Sequence, residues 1–182
     1  MVYIVTALKP EAQAFRDKYN LQKISLANFK VFYNENMMLI ISGLGVEHAM
    51  MATQTLINHY DITDDDIYVN IGICGANKKY AIGELLEIGN LHYKQERIEL
   101  QSSSALTLTC TNEEITHATY DIVDMESFGF YEAVIHNPAI KHFHIFKVVS
   151  DHFEPQTVTK EKTKALVFNT IDAISLIIKG LA

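Results

Sequence analysis

Arginine is nearly absent: Arg16 and Arg97 are the only two in 182 residues. Tight phosphate sites draw on the flat, bidentate guanidinium, so a phosphate cradle is disfavoured from the outset. Positive charge is scarce in general, with 15 Lys+Arg against 22 Asp+Glu and a formal net charge of −7. Glu161 interrupts the densest basic cluster, Lys160 to Lys164, and no nucleic-acid partner is expected without a basic face. Two cysteines, Cys74 and Cys110, are too few for a disulfide scaffold and have no metal-ligand spacing. No apolar run approaches the roughly 18 residues that a membrane span needs. The N-terminal MVYIVTALKPEAQAF lacks a basic leader region and does not read as a signal peptide. These absences lead us to expect a soluble, cytoplasmic protein.

Hydrophobic residues make up 48% and charged residues 20%, ordinary for a globular chain with a sizeable core. The length fits one domain, residues 1–182. Val2 to Ala7, Ile67 to Ile73 and Phe143 to Val149 are apolar runs suited to buried strands. Phe29 to Tyr33 and Met37 to Ser42 flank Asn34-Glu35-Asn36 as a hairpin, and Leu85 to Ile88 and Ala105 to Cys110 read as further strands. The polar stretch between them suggests one outer strand, His92 to Leu100. Helices are expected after Pro10, from about Val46 to Tyr60, over Ser127 to Ile135, and from about Thr159 to Gly180. In the last, Ala165, Leu166, Phe168, Ile171, Ile174, Ile177 and Ile178 have helical spacing. Strands alternating with helices predict an α/β protein, a three-layer α/β/α sandwich with a mixed central sheet.

In such folds ligands bind beyond the C-terminal ends of strands. That rule singles out Lys9 to Glu11, Ser42 to Gly45, Gly72 to Gly75, Asp124 to Glu126 and Ser150 to Phe153. Each carboxylate there also has an ordinary structural reading. Glu11 suits a helix N-terminus, Asp124 and Glu126 suit a strand-to-helix cap, and Asp151 suits a turn. Their conjunction with glycines, which let a ligand approach the backbone, is more specific. Competing sites are weaker. The histidines show no H-x-x-x-H pair, although His142 and His144 share a strand face, so no metal site is expected. Cys74 has no adjacent base to make it a nucleophile. Gly43-x-Gly45 lacks the third glycine of a dinucleotide fingerprint, so no cofactor is expected.

Four segments in order, Ala7-Leu8-Lys9-Pro10-Glu11, Ser42-Gly43-Leu44-Gly45, Asn70 to Ala76, and Val123-Asp124-Met125-Glu126 with Val149-Ser150-Asp151, carry a resemblance. The chain resembles the nucleoside phosphorylase superfamily, and within it the methylthioadenosine/S-adenosylhomocysteine nucleosidases. Against that resemblance it is short, the missing length falling between Ile88 and Ala105. The resemblance implies a nucleoside phosphorylase/hydrolase-like fold and cleavage of the N-glycosidic bond of a purine or modified-purine nucleoside. It implies that Asp151 is the acid facing purine N7, with Ser150 beside it. Glu126 would bind the ribose hydroxyls, Met125 pack on the sugar, and Glu11 activate water. Cys74 and Gly75 would line the wall. Asp151 would then have to hold a proton near neutrality while Glu11 stays ionised. Phosphorylases of this kind place Arg and a hydroxyl residue where Asn70 and Ile73 stand, which favours hydrolysis. The open alternatives are a nucleoside-binding relative with little or no turnover, or a phosphate-dependent phosphorylase. The resemblance also implies a homo-oligomer, most simply a homodimer.

Overall fold

A computed structural model describes residues 1–180. Its mixed sheet is built from β1 (Val2–Thr6), β2 (Gln22–Leu26), β3 (Phe29–Tyr33), β4 (Met37–Ile41), β5 (Ile67–Ala76), β6 (Leu85–Glu87), β7 (Asn90–Tyr93), β8 (Glu96–Glu99), β9 (Thr107–Cys110), β10 (Ile122–Asp124) and β11 (His142–Asp151). The strands run in the order β2-β3-β4-β1-β5-β10-β9-β7-β8, with β11 also on β5 and β6 on β11. Pairings β1/β4, β1/β5 and β5/β11 are parallel, while β2/β3, β3/β4 and β5/β10 are antiparallel.

Four helices cover the two faces: α1 (Lys9–Tyr19), α2 (Val46–His59), α3 (Ser127–Ile135) and α4 (Lys160–Gly180). Strand side chains alternate between faces, so neighbouring residues serve different cores. Val5, Ile40, Tyr68, Ile145 and Val149 pack with Leu56 of α2 and Phe130 of α3. Ile4, Leu39, Val69, Phe146 and Val148 pack with Phe15 of α1 and Ile171 of α4. Helices on both sides explain why the central strands read as continuous apolar runs. The expected three-layer sandwich is the observed one.

Three local expectations need correction. The stretch His92 to Leu100 is not one strand but parts of two, β7 and β8, turning at Lys94 with φ 54°. β2 was not anticipated, because QKISL is an edge strand with one buried residue, Leu26. On α4 the core face is Val167, Ile171, Ile174 and Ile178, whereas Phe168 lies at the rim under Lys18 Nζ, 5.4 Å from its ring centre.

α2 and α3 meet closely at Gly129. A Cβ there would stand 1.9 Å from the Val46 carbonyl oxygen and 3.0 Å from Met50 N, so the backbones would have to part. Gly129→Ala is expected to destabilise the fold by about 1–3 kcal/mol, the usual range for overpacking. Urea unfolding would read this as a lower midpoint at unchanged slope.

Candidate active site

The site begins where the sheet forks. β1 pairs with β5 as far as Asn70, and β10 takes up pairing only at Gly75. Between them the edge of β5 is open, and Glu11 fills the gap. Glu11 is the third residue of α1, behind Pro10. Its Oε2 accepts from Leu8 N at 2.7 Å, tying down the helix start, and its Oε1 accepts from Ile73 N at 2.9 Å. Only 1% of the residue is exposed.

A cavity of about 270 Å³ opens beside this junction. Glu11 and Ile73 line it, as do Gly75, Met125, Glu126, Ser150 and Asp151. Six of the seven expected site residues therefore converge. Glu126 Oε1 accepts from Gly45 N at 2.9 Å, which joins the glycine-containing turn before α2 to the ribose-binding candidate. β11 slips register against β5 between Val149 and Asp151, an irregularity of the kind that re-aims side chains. Asp151 Oδ1 accepts from Glu154 N at 2.8 Å, and Ser150 Oγ stands 2.6 Å from Asp151 Oδ2 and 3.0 Å from Cys74 O. One hydroxyl proton serves both acceptors, so Ser150 can switch between them.

Cys74 is the exception. Its side chain belongs to the core beneath α2 and α3, not to the cavity wall. Strand alternation explains this: Ile73 and Gly75 face the cavity, so the residue between them turns away. Burial pushes its thiol far up from the ordinary value, consistent with an inert side chain. His152 also turns aside, with Nδ1 2.9 Å from Ala76 O. Phe153 is buried, with φ 63°, an uncommon conformation for a residue without glycine's freedom.

Behind the cavity lies a charged cluster that sequence reasoning missed. Lys147, in the middle of β11, is 1% exposed. Its Nζ donates to Asp124 Oδ2 at 2.7 Å and to Asn70 Oδ1 at 2.6 Å. Asp124 also accepts from Ser127 N at 2.9 Å and Ser127 Oγ at 2.6 Å, which satisfies the first backbone donor of α3. Gly72 separates this cluster from Glu11: a Cβ there would lie 3.1 Å from Glu11 Oε1 and 3.7 Å from Lys147 Nζ. The missing methyl lets carboxylate and ammonium share one side of the strand.

These neighbours set the acidities. Burial raises Glu11 from 4.5 to about 7, and Glu126 adds to the rise, against the Leu8 and Ile73 N–H groups and Lys147. The expectation that Glu11 stays ionised therefore meets a carboxyl that burial pushes up to about 7. Burial, then Asp124, also raises Glu126, opposed by Lys147. Burial pulls Lys147 down, but Asp124, Glu126 and Glu11 outweigh it and leave the ammonium above its ordinary value.

A larger depression of about 590 Å³ lies over β7 and β8, lined by Asn90, His92, Arg97 and Glu99 among others. It lies at one margin of the sheet and none of Glu11, Glu126 and Asp151 lines it, so the smaller cavity is the better candidate. His144, expected to share a face with His142, is buried with Nδ1 3.5 Å from Glu87 Oε1, and burial lowers its pKa. Among the described residues no three His, Cys, Asp or Glu side chains are grouped to hold a metal ion. Nor is any described helix long and apolar enough to cross a membrane.

No family model and no curated protein matches the chain. Solved structures do. The chain is similar to the methylthioadenosine/S-adenosylhomocysteine nucleosidase of S. pneumoniae bound to a transition-state inhibitor, with TM-score 0.80 and 15% identity over 100% of this chain and 99% of that one. The chain shares the fold of that enzyme. Futalosine hydrolase of Helicobacter pylori shares it at TM-score 0.78 and 11% identity, covering 98% of this chain and 97% of that one. So does the Neisseria meningitidis nucleosidase in complex with methylthio-immucillin-A, at TM-score 0.74 and 15% identity over 93% and 96% of the two chains. In this shared fold, the cavity lies at the forked strand ends.

Proposed function

We propose that this chain hydrolyses the N-glycosidic bond of a purine or modified-purine nucleoside. The observation that carries the proposal is the convergence of Glu11, Glu126 and Asp151, from three separate strand ends, on one cavity of about 270 Å³. Inhibitor-bound nucleosidases of the same fold support the ligand class.

In this reading Asp151 faces the base and gives its proton to N7 as the bond from C1′ to the base nitrogen breaks. The bonding pair leaves with the base. Water attacks C1′ of the electron-poor sugar, and its spare proton passes to Glu11. Glu126 accepts hydrogen bonds from the ribose hydroxyls, and Met125 packs against the ring. The products are free base and ribose derivative.

Hydrolysis is favoured over phosphorolysis by the cations nearby. Lys147 is buried and tied to Asp124, and neither arginine lines the cavity. Methylthioadenosine, S-adenosylhomocysteine, adenosine and inosine, each with and without phosphate, form the test panel. Base release without phosphate is the expected result. Release only with phosphate would establish a phosphorylase. Binding without release would establish a nucleoside-binding relative.

A further inference from the structure

Within that reading, we infer that Lys147 is a positioning residue: from behind β5, anchored by Asp124 and Asn70, its ammonium faces Glu11 across Gly72 and holds that carboxylate in the arrangement that hydrolysis needs.

The argument is geometric first. Lys147 does not line the cavity and is nearly inaccessible, so it cannot serve as a contact to substrate. Its two anchors, at 2.7 and 2.6 Å, fix the head group in one place. A lysine carried into a core by chance would be expected to lose its charge or reach solvent. This one does neither, because partners surround it. Asp124 and Glu126 approach from β10 and the turn after it, Glu11 from α1, Asn70 and Cys74 from β5, and Cys110 from β9. Both thiols are held protonated by burial. Asp124 is bonded to the ammonium directly, and Glu11 lies across the Gly72 gap from it.

The glycine at position 72 supplies the coupling. It leaves Glu11 and Lys147 divided by the space of a single methyl group. Opposite charges so close favour each other's charged form, and a low-dielectric surround strengthens the effect. Asp124 cannot substitute for Lys147, since its own charge raises Glu126. Without the ammonium, Glu11 would hold its proton to higher pH, and the site would lack its base at neutrality.

The test uses Lys147→Met, Lys147→Arg, Asp124→Asn and the double variant Lys147→Met/Asp124→Asn. Glutamate side chains labelled with ¹³C are titrated by NMR in the free protein, and base release is measured against pH. In Lys147→Met the Glu11 midpoint is expected to move up by about one pH unit or more, with a roughly tenfold loss of kcat/KM at neutral pH. Lys147→Arg is expected to restore both. The double variant, read against Asp124→Asn alone, isolates the loss of the ammonium even if the single Met variant fails to fold. A Glu11 midpoint unchanged between Asp124→Asn and the double variant, or between wild type and Lys147→Met, would overturn the inference and leave Lys147 a structural residue. The titration decides this without turnover, so a wild-type protein that releases no base would overturn only the nucleosidase reading.

Discussion

Asp151→Asn is expected to abolish most base release, by a factor on the order of 10² to 10⁴, while leaving the fold and ligand binding intact. That range is the usual contribution of a positioned general acid. Preservation of the fold follows from the local hydrogen bonds. The asparagine Oδ1 can still accept from Glu154 N. Its amide then faces Ser150 Oγ, which is free to donate its proton to Cys74 O instead. No buried group loses a partner, so thermal unfolding is expected to shift by a few degrees at most. Base-release kinetics and nucleoside binding by calorimetry check both halves. Wild-type rates in the variant would remove Asp151 from the chemistry.

The second large effect concerns Glu11, where activity and stability should move apart. Glu11→Gln cannot take a proton from water, so base release is expected to fall on the order of 10² to 10⁴. For the wild type, kcat/KM should rise with pH through about 7 as Glu11 ionises. The same acidity has a stability consequence. Its folded-state value, about 7, is above the ordinary value of 4.5, so the folded protein binds the extra proton between those limits. Stability from this group is full below the lower value and is lost as pH rises through the upper one. The loss for a shift of this size is on the order of 3 kcal/mol. Glu11→Gln should flatten that fall. It also leaves one of two backbone donors facing an amide, at about 1–3 kcal/mol, so the comparison must be of slopes, not single values. Urea unfolding between pH 5 and 8 measures both. Parallel slopes in wild type and variant would mean that Glu11 is ionised throughout.

The layers and most of the site were legible because they rest on short-range signals. Continuous apolar runs marked β1, β5 and β11, and turn or acidic residues at their ends marked Glu11, Glu126 and Asp151. What sequence could not show was determined by contacts between distant segments. Lys147 sits in the run HFHIFKVVSD, which reads as an apolar strand; its bonds to the distant Asp124 and Asn70 make a charge there tolerable. That interruption was the available signal. Glu113, Glu114 and Ile115 also line the cavity, but they come from an irregular loop with no periodicity to mark them. Glu11 lies at the helix start that the sequence marks, but a helix-start glutamate gives no sign of being sealed from water. Cys74 lay next to a cavity-facing glycine, yet strand alternation sends adjacent residues to opposite sides.

The forked sheet has one more consequence. Where β1 and β10 leave the edge of β5 uncovered, a side chain does the work of a neighbouring strand, and the amide of Ile73 is held by Glu11 alone of the groups named around it. That single amide is therefore a natural gauge of the carboxylate. Its hydrogen-exchange rate should slow or quicken as Glu11 gains or loses a proton, or engages a ligand, while the amides of β5 paired to β11 keep their protection. One backbone position thus offers a spectroscopic view of the site that needs no substrate analogue and no added label on the side chain.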